Sequence, residues 1–244
     1  MFDYLTFIRL TARRLRSTED YLAWQRFQAE QVVWAYLRRR IAARLEDFRV
    51  LDLGCGYGGY SQLLAEKMRL VVGLDDAMMP QVSPIPGRLA FIRADATAAP
   101  FGDGALDLVI CSSLLEHVPE PRKLLAEVVR LLRPGGWCYL SFPPYYSPWG
   151  GHQFAPFHLL GEGPALRLYR LRHRDASDIS YAKAFGSWGL YKRTIKGTRR
   201  LLGEFPLQVR DISSRWLPVN TAKWPVLGEF LTWHVQFLLQ KVAS

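Results

Sequence analysis

Two stretches of this chain hold residues whose types and spacing could do chemistry. The first is VLDLGCGYGGYS at 50–61, where Gly54, Gly56 and Gly59 follow an apolar run and lead into a helical pattern. Glycines at such a junction allow a tight turn and let a ligand approach the backbone at a helix N-terminus. The G-x-G-x-x-G spacing alone admits a dinucleotide, another nucleoside, or a plain strand–helix turn with no ligand. Asp52 stands two residues before the first glycine. A carboxylate there suits an ammonium or sulfonium group and repels a pyrophosphate. Asp75 ends the next apolar run, about 20 residues on, where a carboxylate can bind both ribose hydroxyls. Asp95 ends the third run, where it can accept a hydrogen bond from an adenine amino group. A lone aspartate at a strand end is ordinarily a turn or cap residue; two at successive strand ends beside a glycine loop favour a ligand.

The second stretch is less compact. His117 lies in LLEHVPEP, just past the fourth predicted strand, and His152 lies in PWGGHQF, after the fifth. Either imidazole could accept a proton from a hydroxyl nucleophile. Their bland readings are a packed histidine at a loop–helix junction and an exposed loop histidine. His158 is a weaker candidate of the same kind, and His173 and His234 read as structural. Tyr145, Tyr146, Trp149 and Phe154 could line an acceptor pocket or form the loop's own core. The PPYY run at 143–146 is similar to the Pro-Pro-aromatic motif of amino-methylating nucleic-acid enzymes. It follows the fifth strand rather than the fourth, and Phe142 precedes it, so that assignment fails. Cys55, Cys111 and Cys138 show no metal-ligand spacing. They read as small buried hydrophobes in a reducing cytoplasm, and no metal site is expected.

The elements that must position these residues follow from periodicity. Residues 19–45 carry apolar groups near a 3.6 period and predict one long helix. Ser17 or Thr18 can cap it, and a shorter amphipathic helix precedes it. Strands are predicted at 48–53, 69–75, 89–95, 106–113 and 137–142, with helices at 58–68 and 119–132. Pro134-Gly135-Gly136 is expected to end the second of these helices and turn the chain. Strand–helix alternation implies right-handed crossovers and a parallel, doubly wound α/β sheet. Residues 143–165 read as a long loop or cap, followed by helices at 165–174 and 188–204 and a strand at 207–214. The segment 229–242 fits helix or strand equally.

The 244 residues are 49% hydrophobic and 22% charged, which argues against long disorder. The net charge of +10 is uneven: +5 over 1–45, −3 over 46–140 and +8 over 141–244. A basic surface concentrates anionic partners, although solvated Arg-rich helix faces explain it as simply. No apolar run approaches the ~20 residues of a membrane span, and the start MFDYLTFIRL lacks the form of a signal peptide.

VLDLGCGYGG, VVGLDDA, FIRADATAAPFGDGALDLVICSSLLEHVPEP and LLRPGGWCYLSFP resemble successive motifs of class I S-adenosylmethionine-dependent methyltransferases. They are closest to the small-molecule branch that contains the ubiquinone-biosynthesis O-methyltransferases. The resemblance covers about residues 48–143. It implies a mostly parallel seven-stranded, Rossmann-like sheet with N-terminal helices and an insert after strand five. The implied division is a helical cap at 1–45, a cofactor-binding core at 46–143, a substrate cap at 144–206 and closing strands at 207–244. It further implies that Asp52, Gly54 and Gly56 hold the methionyl part of S-adenosyl-L-methionine, that Asp75 takes the ribose, that Asp95 and Ala96 meet the adenine, and that Cys111 floors the pocket. A cytoplasmic enzyme acting on a small-molecule acceptor is expected, with peripheral contact at an anionic membrane surface a further partner. The alternatives are an RNA or other nucleic-acid methyltransferase, a non-catalytic binding protein and a nucleotide-dependent oxidoreductase.

Overall fold

The computed structural model describes residues 2–77, 80–173, 178–184 and 188–243. Helix α1 (Tyr4–Arg13) starts where the Asp3 carboxylate accepts from the Thr6 N–H at 2.9 Å. Helix α2 (Thr18–Gln28) is capped by Ser17, whose Oγ accepts from the Asp20 N–H at 3.1 Å; Glu19 and Asp20 complement the dipole of its first turn. The single helix expected to residue 45 is interrupted. A π-helical turn (Ala29–Trp34) follows α2, then α3 (Ala35–Arg40) ends as Ile41 turns extended. Ile41 and Leu45 are buried all the same, in non-helical chain. Their burial kept the apolar spacing going after the helix had stopped.

The strands are β1 (Arg49–Leu53), β2 (Leu70–Asp75), β3 (Leu89–Arg93), β4 (Leu106–Ser112), β5 (Leu132–Phe142), β6 (Leu207–Ser214) and β7 (Val235–Lys241). Helix α4 (Gly59–Lys67) joins β1 to β2, and α5 (Pro121–Leu131) runs directly into β5. The sheet order is β3-β2-β1-β4-β5-β7-β6. β1 pairs in parallel with both β2 and β4, β2 pairs in parallel with β3, and β6 pairs antiparallel with β7. The order reverses between β1 and β4, the switch point beside which open α/β sheets bind ligands. β1 and β4 are buried along almost their whole length, as strands covered on both faces must be.

Two compact units emerge from the contacts: residues 1–110, 130–137 and 243–244 form one, and 111–129 with 138–242 the other. The first has a core including Val33, Leu37, Leu51, Leu64 and Val71. An ion triad also sits in it, with Asp107 accepting from Arg49 Nε at 3.1 Å and from Arg133 Nε at 2.6 Å. The second contains a separate cluster of Tyr145, Phe154, Ala165, Leu166, Tyr181, Ala184 and Leu190. Tyr145 and Phe154 therefore belong to the packing of the insert itself.

Several expectations shift. β5 begins at Leu132, so Pro134-Gly135-Gly136 lies inside the strand, with Gly135 at φ +73°. The helix expected at 165–174 is α6 (Glu162–Arg172), and residue 174 lies outside the described residues. The helix expected at 188–204 is only α7 (Ile195–Leu202). Residues ahead of it give their backbone groups to tertiary partners instead: Leu190 N–H to Tyr181 O, Tyr191 N–H to Glu116 O, and Arg193 O to the Tyr145 N–H. The undecided C-terminal segment contains a short helix α8 (Gly228–Leu231) and then β7. No described helix is long and apolar enough to cross a membrane.

Candidate functional site

In the first unit, β1 delivers the chain to the glycine loop. Gly54, Gly56 and Gly58 take φ of +78°, +53° and +88°, a region that side chains strain to enter. Gly58 occupies the left-handed position that caps α4. Gly59, the third glycine of the predicted motif, is needed for a different reason: a Cβ there would run into Gln25. The Gln25 side-chain oxygen accepts from the Gly59 N–H at 3.1 Å. One turn up α2, the Tyr21 ring meets Tyr57 edge-on with centroids 5.4 Å apart. Sequence reasoning missed both residues. The one trace in the sequence is that Tyr21, Gln25 and Gln28 share one helical face; that Gln25 and Gln28 are buried shows only in the structure.

The acids of this unit hold the loop. Asp75, at the end of β2 and 5% exposed, accepts from the Gly56 N–H at 2.9 Å and the Ala77 N–H at 3.1 Å. Asp52 is buried, and Ser61 Oγ donates to it at 2.6 Å. Burial pushes the Asp52 carboxyl up to about 6; the Ser61 hydroxyl pulls against this and the Asp75 charge adds to it. Asp95 does not end a strand: β3 stops at Arg93, and Asp95 is an exposed turn residue accepting from Thr97 N–H and Oγ1 at 2.7 and 2.9 Å. Ala96 follows in the same turn, half-buried.

In the second unit, Cys111 is buried near the end of β4, and Ser113 beyond it takes φ +57°. A 3-10 turn (Leu115–His117) then presents Glu116 and His117. His117 Nδ1 lies 2.8 Å from the Gly189 carbonyl. A carbonyl only accepts, so Nδ1 carries the proton and Nε2 the lone pair. Burial lowers the His117 pKa against the pull of that carbonyl. His152, at φ +47°, opens the 3-10 turn His152–Phe154, and its ring centroid lies 5.2 Å from that of His117. Burial first, then His117 and His158, lowers its pKa to about 3. His152 is thus not the exposed loop residue its neighbours suggested. The glycines before it serve close packing, since a Cβ on Gly151 would collide with the His158 ring and one on Gly150 with Pro144 O. His158 is 1% exposed, with Nε2 2.8 Å from Tyr145 O.

Glu116 was not singled out from sequence. It is 2% exposed, and neither carboxylate oxygen makes a hydrogen bond among the described residues. Burial pushes its carboxyl up to about 8, opposed by its own amide and the charges of Arg215 and Arg193. Arg215, also buried, donates from Nε to Tyr139 Oη at 2.9 Å and from a terminal nitrogen to Ser112 Oγ at 3.1 Å. His234, read as structural, lies with Nε2 3.0 Å from Ser113 Oγ. His173 stacks on Tyr169 with centroids 4.3 Å apart. Trp149 is 39% exposed.

A parallel sheet with a β1/β4 switch point, an antiparallel β6/β7 pair and a braced glycine loop after β1 define a Rossmann-like methyltransferase fold. A family described as methyltransferase domain matches residues 51–140. An uncharacterized methyltransferase of Mycobacterium marinum is 32% identical over 200 residues, covering 78% of this chain and 75% of that protein. An S-adenosylmethionine-dependent methyltransferase from Mesorhizobium loti superposes with a TM-score of 0.60 at 20% identity, over 85% of this chain and 96% of its own. A geranyl diphosphate methyltransferase solved with GPP and sinefungin superposes with a TM-score of 0.58 at 14% identity, over 88% and 80%. The chain belongs to the class I S-adenosylmethionine-dependent methyltransferases, and S-adenosylmethionine is its cofactor.

Proposed function

We propose that this enzyme transfers the sulfonium methyl to a hydroxyl of a small, apolar, glycosidic or lipid-linked metabolite. The observation that carries the reading is the meeting of His117 and His152, 35 positions apart in the chain, as a half-buried pair whose pKa values desolvation holds down. Neutral imidazoles there can accept a proton. His117 is the better base, because His152 is held much further from protonation.

In this reading Asp52, Gly54 and Gly56 serve the methionyl end, Asp75 the ribose, Asp95 with Ala96 the adenine, and Cys111 the floor of the pocket. The buried Asp52 and Asp75 act chiefly by holding the loop that receives the cofactor. The carbon–sulfur bond breaks as the carbon–oxygen bond forms. The hydroxyl proton passes to His117 Nε2, and S-adenosylhomocysteine leaves. Alignment of the reacting atoms in such a displacement can supply roughly 7–11 kcal/mol of the barrier.

An apolar acceptor gains support from the exposed side chains of Trp224, Val226, Leu227, Phe230 and Leu231. Glu229, in the same segment, accepts from the first amides of α7, whose Lys196, Arg199 and Arg200 are basic and exposed. Apolar side chains beside cations suit contact with an anionic lipid surface. The geranyl diphosphate methyltransferase, solved with GPP, points the same way.

The decisive experiment is a methyl-labelled donor incubated with metabolite extracts, the product being read by mass spectrometry. A labelled product whose new methyl sits on oxygen is expected. Label on nitrogen, on carbon or on RNA would replace the reading. Sedimentation with anionic vesicles at low salt should carry the protein down, and a protein left in the supernatant removes the membrane partner.

A further inference from the structure

The cluster around Glu116 is built like a place for a cation. Glu116, His117 and His152 each offer one ligand atom, and the three atoms lie within 4.8 Å of one another. His117 Nε2 stands 4.0 Å from a Glu116 carboxylate oxygen. Three further features separate the cluster from a chance meeting of polar groups. The Glu116 carboxylate is buried and takes no hydrogen bond among the described residues, which for an acid in a protein interior is a costly arrangement. His117 gives its other ring N–H to a backbone carbonyl, the outer contact that fixes the tautomer and orientation of metal-binding histidines. His158 stands behind His152 with its own ring nitrogen against the Tyr145 carbonyl, and only glycine at 151 leaves room for it.

We propose that Glu116, His117 and His152 form a binding site for one divalent transition-metal ion, of which zinc is the natural probe. Two imidazoles and one carboxylate suit zinc and its neighbours better than magnesium or calcium, which prefer oxygen ligands throughout. A tetrahedral ion sets its ligand atoms about 3.4 Å apart, so the three side chains must draw together by roughly 1 Å on loading. The nearby guanidinium groups oppose a second cation. Each is already engaged: Arg193 with the carbonyls of Leu115 and Val118, and Arg215 with Tyr139 and Ser112. With three protein ligands, a fourth position remains for an oxygen. The role of the ion rests on the methyl-transfer reading above: an acceptor hydroxyl in that position would be acidified by the cation and lose its proton to solvent water, and His117 would act as ligand rather than as base.

The test uses untagged full-length protein, stripped with a chelator and dialysed. Titration with Zn²⁺ alone, followed by calorimetry and elemental analysis, should load one ion per chain. Co²⁺ should give a visible band of tetrahedral character. Glu116→Gln and His152→Ala should each weaken Zn²⁺ binding by roughly 10–100-fold or more, whereas His173→Ala, outside the cluster, should not. Circular dichroism checks each fold; if Glu116→Gln does not fold, the Co²⁺ spectrum and His152→Ala decide. No stoichiometric ion in the wild type, or wild-type affinity in both cluster variants, overturns the site. Undiminished turnover after stripping overturns the ion's catalytic role and leaves methyl transfer standing. Failure of S-adenosylmethionine to bind, measured separately, would instead strike the methyl-transfer reading.

Discussion

The glycine loop and the histidine cluster are built on opposite plans. At the loop, residues within 50–61 supply the shape, Asp52 taking the Ser61 hydroxyl among them, and Asp75 from the end of the neighbouring strand braces it through the Gly56 amide. At the cluster, each histidine comes from a different turn, Glu116 sharing that of His117, and the Gly189 and Tyr145 carbonyls orient the His117 and His158 rings. The first plan resembles a preformed cradle, in which burial raises the Asp52 carboxyl. The second concentrates groups that burial has pushed toward their uncharged forms. On the proposed reading, binding and reactivity are therefore separable in this chain, and substitutions can pull them apart.

The largest expected effect tests that separation directly. His117→Ala should lower turnover by about 10²–10⁴, while calorimetry finds the S-adenosylmethionine dissociation constant unchanged. A matching loss of cofactor affinity would show that the two regions are not independent.

Next comes the cradle's own titration. The Asp52 pKa is raised on folding, so its contribution to stability is complete below the unfolded value near 4 and is lost as pH rises through about 6. Over that window it should remove up to about 3 kcal/mol. Urea midpoints at a series of pH values should show a steeper decline in the wild type than in Asp52→Asn, whose remaining slope belongs to other raised carboxyls such as Glu116. Parallel profiles for the two proteins would mean that Asp52 carries no such load.

Asp75→Ala should weaken cofactor binding at least tenfold, about 1.4 kcal/mol, with the turnover of saturated enzyme less affected. An unaltered dissociation constant would detach Asp75 from the cofactor. The smallest effect concerns the clasp that lays Gln25 on Gly59. Ser17→Ala removes the cap of α2 and should cost about 1 kcal/mol, seen as a lower Tm with cofactor affinity little changed.

The same contrast explains what could be read from sequence. The parallel sheet was legible because short apolar runs alternate with helical ones, and five of the strands fall within a few residues of expectation. Asp75 and the loop glycines were legible because their spacing is local to one crossover. Asp95 was read as a strand end because its run LAFIRAD stays apolar nearly to the acid; the pairing stops earlier, and Thr97 turns Asp95 into a turn residue. Gln25 stayed hidden because its partner is 34 residues away. Glu116 stayed hidden because an acid in a loop is normally solvated, and only tertiary packing reveals that this one is not. His152 was found, but its glycine neighbours suggested exposure where they provide closeness.

The wide turn at Ala29–Trp34 bears on how the chain tolerates a change in length. A π turn accommodates one residue more than the α turn it interrupts. Each residue of regular helix advances about 100° around its axis. Deleting one residue between 29 and 34 should therefore restore a regular α turn and keep the two halves in phase, whereas deleting one of residues 26–28 from the regular turns of α2 would swing the residues before it by that angle, taking Tyr21 off Tyr57 and Gln25 off Gly59. The same one-residue gap is thus absorbed at the wide turn and unfastens the glycine loop when it falls one turn earlier.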